Sequence, residues 1–539
     1  MVFHHGTEFL DPIFTARPQF DTGITTGVLL GTAGKGPNTP TLVTSKSHLF
    51  NTFGLLSDDE FSIPKDGDDY FNQGNSQLVV INVLPSTTVA AESSESTTFG
   101  TNDQASLDYG YVSSLVLGTA ISGVLTFAAD DTITLPAGIT SVDAVKSEDG
   151  TVTYVEDTDY SVAANVITRI DAQAIAAGQK VTVEYTATLV AGTDYTLDAE
   201  NGVLTRLLSG KIIRKATITA TSYNRVDASG ITATDIVGTV GSPNTGAKAI
   251  ADIKETLKVN PLLYIAPDWT YARNQGGGYN IVVNELLTHA DVNGAIVVTN
   301  TPNTTKEDAV TYAQENLSKR LYACKSWQRK TIDGTVLVRP TAAAIAGLIA
   351  GVDARTANVG TSPSNQLFVG IEAIDKPDSH QVAISGGAGA NTDTNFLNIN
   401  GVATILNFDG GFRLFGNKST TDENTQEKFL KVQRVVDLVT RRELPKALTW
   451  AIDNNITTDY ELEVSNFMKR RLENLEGRGI LLTGFSNAYA ASADINTPEA
   501  KLNGEIYFDI EFAVSSPAEQ IKVRTRVVNG YVASVTTEV

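Results

Sequence analysis

The segment 262–299 reads LLYIAPDWTYARNQGGGYNIVVNELLTHADVNGAIVVT and decides the fold class of the chain. It begins and ends with short apolar runs, 262–266 and 295–299, which are typical of buried strands. Between the two runs, Val282 and Leu286 mark one apolar face of a helix, because helical residues four apart share a face. A strand, a helix and a second strand in this order predict a parallel sheet with helices over its faces.

The same alternation of strands and helices extends over residues 246–403, which we predict to form an α/β domain. Thr305 and Asp308 have the spacing of a helix-capping pair and predict a helix after the second apolar run. Residues 336–338 (VLV) predict a further strand of the parallel sheet. The middle of the chain is therefore expected to be one covered sheet.

The part of the chain before this domain divides into a compact region and a linker. Residues 21–85 predict the compact region, with strand candidates at 27–33, 41–44 and 77–83 that Gly and Pro residues bound. The composition then changes, since residues 86–106 are rich in Ser, Thr and Glu and predict a linker.

Residues 107–245 consist almost entirely of strand signals and predict an inserted, outward-facing β-sandwich. The insert contains an internal echo, in which TDY at 158–160 returns at 193–195 and VITR at 166–169 returns as VLTR at 203–206. Two copies are too few for a solenoid. We interpret the echo as repeated hairpins that share one turn chemistry.

Residues 404–530 predict an α+β domain with two long helices. The first helix is expected over 423–443, where apolar residues recur at helical spacing. The second is expected to begin at the capping box formed by Thr458 and Glu461 and to end at Gly477.

A hairpin is expected to close this domain, because apolar and polar residues alternate over 505–512 and again over 521–527. A register that pairs Phe512 with Ile521 puts the apolar side chains of both strands on one face and sets Glu511 opposite Lys522.

The two ends of the chain predict extended arms. Pro12 and Pro18 exclude a helix from residues 1–20, which show no amphipathic period. Residues 531–539 begin with a strand pattern that has no obvious partner left in its own chain. An unpaired strand of this kind is suited to joining the sheet edge of another molecule.

The composition excludes several classes of protein. The chain has 539 residues, which suggests three or four domains, a formal net charge of −20 and one cysteine, Cys324. The negative charge argues against a nucleic-acid-binding surface, which needs clustered Lys and Arg. A lone cysteine and scattered histidines give no disulfide and no metal motif, so we expect no cofactor and no metal. We also expect no signal peptide and no membrane insertion, which indicates a reducing, cytoplasm-like compartment.

Three motifs that suggest catalysis or nucleotide binding are incomplete. Residues 31–37 (GTAGKGP) look like a phosphate loop but lack its spacing and the Ser or Thr after its lysine. Asp268, His289 and Ser385 occur in the chain order of subtilisin-type proteases, without the surrounding motifs. Residues 386–389 (GGAG) depart from the dinucleotide-binding pattern. We therefore predict no catalytic residues and no enzyme.

Five motifs resemble, in order and spacing, those of the contractile tail sheath proteins of bacteriophages and related contractile injection systems. They are FHHGTE at 3–8, TGVLLGTA at 26–33, ADINTPE at 493–499, GEIYFD at 504–509 and PAEQI at 517–521. The resemblance covers the amino-terminal region and most of the chain after the insert, while the β-rich insert matches no motif.

The resemblance implies a structural subunit that forms six-membered rings, stacked helically around a tail tube, and contracts to drive the tube through the host envelope. It also implies a subtilisin-like fold for the α/β domain. Extended arms would join the subunits, and the arm residues carried over are Phe3, Ile13, Phe14, Tyr531, Val532 and Val535. The sheet that receives an arm would present Ile506, Phe508, Ile510, Ile521 and Val523.

The sequence Lys469-Arg470-Arg471 is a basic cluster on the second long helix of the last domain. One interpretation is a solvated helix face that completes ion pairs with Glu473 and its neighbours. The other is a contact with an acidic tube surface, because this helix resembles the tube-facing helix of the family. The expected partners are further copies of the chain, the tail tube protein, and baseplate and tail terminator proteins. The expected location is the virion tail, assembled in the host cytoplasm.

Other functions compete with that of a phage sheath. A tailocin or an extracellular injection system would use the same sheath chemistry, and neighbouring genes or a capsid would separate them. A hydrolase with a β-sandwich decoration predicts measurable turnover and a monomer. A secreted adhesin is opposed by the α/β domain and by the missing signal peptide. The insert is expected either to decorate the surface or to bind host glycans.

Overall fold

The computed structural model of the protein describes residues 25–56, 60–74, 77–84, 90–170, 174–274, 277–380, 392–408, 410–519 and 521. Before the β-rich insert the chain forms β1 (Gly27–Gly31), β2 (Thr41–Val43), α1 (Lys46–Phe53), α2 (Ile63–Phe71) and β3 (Leu78–Asn82). The residues of β1, GVLLG, are all buried, which is typical of a strand covered on both faces.

The insert is built from short strands in several sheets. They are β4 (Ala90–Thr98), β5 (Gln104–Ser106), β6 (Ser113–Thr126), β7 (Thr132–Thr134), β8 (Ser141–Ser147), β9 (Thr153–Tyr154), β10 (Tyr160–Ala163), β11 (Val166–Arg169), β12 (Lys180–Thr186), β13 (Tyr195–Asp198), β14 (Val203–Arg206) and β15 (Thr217–Val226). One sheet has the order β4-β15-β6-β12-β8-β9, and two smaller sheets have the orders β10-β11-β7 and β13-β14-β5. A single apolar cluster that includes Ile121, Tyr185 and Leu204 packs these sheets together.

The echo in the sequence corresponds to a structural repeat. The hairpins β10–β11 and β13–β14 have the same register, and each pairs with one further short strand. Arg169 binds Asp131 at 2.9 Å, and at the equivalent place Arg206 binds Asp103 at 2.8 Å. The repeated hairpins therefore share an ion pair as well as a strand pattern.

The predicted linker 86–106 is wrong for residues 90–106, which the structure places in the insert. β4 is an edge strand that pairs with β15 from Ala90 to Thr98, and β5 pairs with β14. The polar composition that suggested a linker is that of an edge strand, where charged and hydroxyl side chains discourage pairing with other molecules. The strand-rich part also ends at Val226 rather than at 245.

After the insert the chain returns to the sheet that β1 began. It forms α3 (Ala233–Val237), α4 (Ile250–Thr256), β16 (Leu263–Ile265), α5 (Pro267–Thr270), α6 (Ile281–Asn293), β17 (Ile296–Asn300), α7 (Lys306–Glu315), β18 (Leu321–Cys324), β19 (Trp327–Ile332), β20 (Thr335–Pro340), α8 (Ala342–Thr356), β21 (Ala373–Ile374), α9 (Asp393–Ile399), β22 (Val402–Asn407) and β23 (Phe412–Phe415). The sheet order is β2-β3-β1-β16-β17-β18-β22-β23, and its six inner strands are parallel.

Helices cover both faces of this sheet, as the alternation of strands and helices predicts. Leu29 of β1 packs in one apolar cluster with Ile345 of α8. The neighbouring Val28 points to the opposite face and packs in a second cluster with Leu286 of α6. Alternate residues of each strand therefore serve two separate apolar layers.

Two assignments near this sheet are wrong. The strand 336–338 lies in β20, which pairs with β19 in a separate antiparallel hairpin rather than in the parallel sheet. Asp333 and Gly334 have φ angles of 47° and 80°, the left-handed pair of a tight hairpin turn, so the sequence Asp-Gly was the signal for this hairpin. Residues 404–407 belong to β22, so the parallel-sheet domain extends past the predicted boundary at 403.

The C-terminal domain contains α10 (Leu430–Asp437), a π-helical segment (Leu438–Glu443), α11 (Leu444–Ala447), α12 (Thr458–Gly477), β24 (Asn487–Ala490), α13 (Pro498–Leu502) and β25 (Phe508–Glu511). The first long helix therefore begins at Leu430 rather than at 423, and it continues through the π segment. The second ends at Gly477 as predicted, but its cap is Thr457, whose hydroxyl accepts from the Tyr460 amide, rather than Thr458. A threonine one residue earlier has the extended conformation that an N-cap needs.

Candidate assembly surfaces

The hairpin β19–β20 follows directly after the carboxyl end of the parallel strand β18. The hairpin β19–β20 lies across α2 and inserts cationic side chains among its buried carboxylates. The Lys330 ammonium lies 2.6 Å from Asp68 and 2.5 Å from Asp69, and Arg339 pairs with Asp66. Burial raises the pKa of Asp66 and Asp69, although the cations act in the opposite direction. These side chains bind one another and fasten the hairpin to α2.

Of the three residues in subtilisin chain order, the structure describes Asp268 and His289. The His289 imidazole lies 3.0 Å from the Glu285 carboxylate on the same helix, and burial lowers the pKa of His289. Asp268 lies in the short helix α5, and Ser385 is outside the described residues. His289 therefore takes part in a local helix contact.

The glycine-rich loop 31–37 joins the insert to the parallel-sheet domain. The Gly110 amide of the insert donates to the Gly34 carbonyl at 2.8 Å. A Cβ atom at Gly34 would lie 2.7 Å from the Phe61 ring and 2.8 Å from the Tyr109 ring, so only glycine fits between them. Burial lowers the pKa of the Lys35 ammonium, which donates to the Leu107 carbonyl at 3.5 Å. The loop that looked like a phosphate loop is a contact between domains.

Two arginine clamps fasten α10 of the C-terminal domain to the parallel-sheet domain. In the first, the Arg320 guanidinium binds Asp437 at 2.5 and 2.7 Å. In the second, Arg434 pairs with Asp353, whose other hydrogen bond comes from the Thr25 hydroxyl at 2.5 Å. Neither clamp was predicted from the sequence. The available signal was a set of polar residues within the buried stripe of α10.

The first strand of the hairpin predicted to receive an arm corresponds to β25. This strand pairs with β24, from Asn487↔Glu511 to Ala490↔Phe508. The strand β24 was not predicted from the sequence. Phe508, Ile510 and Phe512 are half-buried against the core of the C-terminal domain. Ile506 lies just before β25, and Ile521 is 83% exposed, while Val523 and the rest of the predicted return strand are outside the described residues.

In the part of the chain that the structure describes, β24 and β25 form a sheet of two strands whose outer edges pair with no further strand. Exposed apolar side chains lie on the segments around them, at Leu482, Phe485, Ile495, Leu502 and Ile521. A two-stranded sheet is marginally stable alone, so this edge is suited to binding an additional strand. The arm residues Phe3, Ile13, Phe14, Tyr531, Val532 and Val535 are outside the described residues.

The basic cluster lies on the exposed side of α12. Lys469 and Arg470 are exposed, whereas Arg471 is half-buried and its guanidinium lies 5.3 Å from the centre of the Phe467 ring. The opposite face of the helix is buried and includes Met468 and Leu472. Within the described residues, Lys469 and Arg470 form no ion pair with Glu473.

Comparisons with known proteins agree with the resemblance in the sequence. No family model matches the chain. A protein described as a prophage major tail sheath protein of Pseudomonas aeruginosa (strain UCBPP-PA14) is 28% identical over 325 residues, which are 60% of this chain and 79% of that protein. The tail sheath protein of Burkholderia phage BcepMu is 25% identical over 548 aligned positions, covering 98% of this chain and 97% of its own.

A solved structure shows the same fold over nearly the whole chain. The contracted helical sheath of the anti-feeding prophage covers 97% of this chain and 99% of its own, with 12% identity and a TM-score of 0.52. The fold is thus that of a contractile sheath subunit, with mixed sheets and helices. At 25% identity over nearly its full length, the chain is similar to a phage tail sheath protein, and it shares the fold of the solved sheath structure. Among the described residues, no helix has the length and apolar character needed to span a membrane.

Proposed function

We propose that the chain polymerises as stacked hexameric rings around a tail tube and contracts to drive the tube through a host envelope. The observation that carries the proposal is the two-stranded sheet β24–β25, which is open at its edges within the described residues and is surrounded by exposed apolar side chains. An arm of a neighbouring subunit would add a strand to this sheet through backbone hydrogen bonds. Such a joint tolerates rotation of the subunit bodies because it needs no fixed side-chain partner.

Electron microscopy of the purified chain tests this function. We expect rings or helical tubes, because the arms and the receiving edge are on the same molecule and each subunit can join the next. A monodisperse monomer at every concentration would contradict the proposal and would favour the hydrolase alternative, which predicts turnover without assembly.

We also propose that Lys469 and Arg470 contact an acidic surface of the tail tube protein. The two cations are exposed on a helix whose other face is fixed in the core of the C-terminal domain. Exposed charges of this kind steer association and set its salt dependence more than they add affinity.

Reversing both charges, in Lys469→Glu/Arg470→Glu, is expected to weaken tube binding by about tenfold at low salt and to leave assembly of the sheath alone unchanged. Co-sedimentation of the sheath chain with its tube protein measures the effect. The control is Lys180→Glu, because Lys180 is an exposed lysine of the insert, 3.5 Å from Glu148 and far in sequence from α12. If the charge-reversal variant and the control bind the tube equally well, Lys469 and Arg470 are not part of the contact.

Several finer features rest on the resemblance and belong to the same proposal. The parallel sheet with helices on both faces, in which β1 lies between β3 and β16, supports a subtilisin-like description of that domain. Baseplate and tail terminator proteins would bind the ends of the sheath. The chain would reside in the virion tail after assembly in the host cytoplasm.

A further inference from the structure

The chain is strongly acidic, but cationic side chains surround one cavity. The cavity has a volume of about 410 Å³ and lies where the π segment passes α4. We call it the basic pocket, and its lining residues are Lys254, Asn260, Arg441, Arg442, Glu443, Pro445, Lys446 and Thr449. Four cations thus face one carboxylate in a chain whose net charge is −20.

One cation of the basic pocket, Arg441, is held in place by contacts with α6 and α10. The Arg441 guanidinium donates to the Asp291 carbonyl at 2.6 Å, at the end of α6, and lies 3.2 Å from Asp437. Glu443 is only 5% exposed, and Arg442 and Lys446 are among the cations whose charges act on its carboxyl group. Among the residues that line the pocket, the cations outnumber the carboxylates by four to one. This arrangement fits an acidic partner.

The same domain carries a surface of the opposite sign. It comprises the exposed carboxylates on residues 494–511, which we call the acidic strip: Asp494, Glu499, Glu505, Asp509 and Glu511. Within this segment Lys501 is the one basic residue, and its ammonium is 2.5 Å from Glu461. The strip therefore keeps an excess of negative charge.

We propose that the basic pocket of one subunit binds the acidic strip of a second copy of the chain. This inference rests on the proposed polymerisation. Two different surfaces that pair head to tail form rings or open helices, which is the symmetry that a sheath requires. In a homopolymer, the neighbours of every basic pocket are further copies of the chain. Each of these copies carries an acidic strip, so the complementary charge is always available. Its exposed charges make the contact sensitive to salt, since screening is strong beyond about 10 Å at 0.1 M.

The test reverses each surface separately and then mixes the variants. Arg442→Glu/Lys446→Glu and Asp494→Lys/Glu505→Lys are each expected to raise the critical concentration for assembly by about tenfold or more at 0.1 M salt. Mixing them is expected to restore assembly, because the reversed pocket of one variant matches the reversed strip of the other. Sedimentation of polymer over a range of concentrations provides the measurement, and unfolded variants would not be rescued by mixing.

The outcomes separate this inference from the proposed function. If the unmodified chain does not assemble, the function itself fails. If it assembles and the pocket variant has the same critical concentration, the function stands and the pocket contact is wrong. If both variants fail and the mixture also fails, the strip is not the occupant of the pocket. Lys180→Glu/Arg214→Glu serves as the control, since it makes the same change of charge at two exposed cations of the insert, outside the pocket.

Discussion

Replacing Asp437 with alanine is expected to lower the free energy of unfolding by about 3–5 kcal/mol, the usual cost of leaving a buried charge without its partner. The Arg320 side chain is 2% exposed, and Asp437 supplies both carboxylate oxygens to it. Alanine leaves the guanidinium with the exposed Asp291 carboxylate, at 2.8 Å, and the Ala295 carbonyl, at 3.4 Å. Gln433, which donates to Asp437 at 2.9 Å, also loses its acceptor.

The matched control is Asp291→Ala, which removes the other carboxylate bound to the same arginine. The Asp291 side chain is 69% exposed, so we expect a loss of at most about 1 kcal/mol. Urea unfolding of the unmodified chain and of the two variants, monitored by tryptophan fluorescence, measures the difference in unfolding free energy. If both variants lose a similar amount of unfolding free energy, the buried Asp437 contributes no more to holding Arg320 than the exposed Asp291 does.

The two clamps also bear on how the subunit moves. Arg320–Asp437 and Arg434–Asp353 both connect α10 to the parallel-sheet domain, and all four side chains are buried. A charged pair that is well bonded on both sides resists sliding, because any displacement exposes a charge to an apolar interior. The parallel-sheet domain and α10 are therefore suited to rotating as one body in the contraction proposed above.

Local patterns were enough to predict much of this fold. The strands β16 and β17 and the helix α6 between them follow from apolar spacing, and the capping pair at Thr305 correctly placed the start of α7, where its hydroxyl accepts from the Asp308 amide. In these segments, the residues that determine the element are neighbours in the sequence. The family resemblance then supplied the function, on motifs outside the β-rich insert.

The parts that could not be predicted depend on contacts between distant residues. Arg320 and Asp437 are 117 positions apart, and neither lies in a motif that marks a clamp. The strand β24 has only four residues, and it is recognisable as a strand because β25 pairs with it. β4 was misread because an edge strand that faces solvent has the composition of a linker. Each error arose where tertiary pairing, rather than local propensity, determines the structure.

Removing residues 531–539 is expected to abolish polymerisation while the chain remains folded. The deleted segment contains the strand pattern Tyr531-Val532-Ala533-Ser534-Val535, and the proposed function assigns it to the sheet edge of a neighbour. Strand addition supplies a row of backbone hydrogen bonds that no side-chain contact replaces. Electron microscopy and sedimentation measure the loss of rings and tubes, and the thermal unfolding transition checks that the fold is retained.

Two further chains separate the role of the backbone from the role of the side chains. Val532→Pro removes an amide donor and is expected to prevent assembly, whereas Val532→Thr retains the donor and a β-branched side chain and is expected to assemble. A synthetic peptide of residues 531–539, added in excess to the intact chain, is expected to compete for the receiving edge and slow its assembly. If the truncated chain and the proline variant assemble at the same critical concentration as the intact chain, strand addition by this arm is not the joint between subunits. The contacts would then have to come from side-chain surfaces such as the basic pocket and the acidic strip.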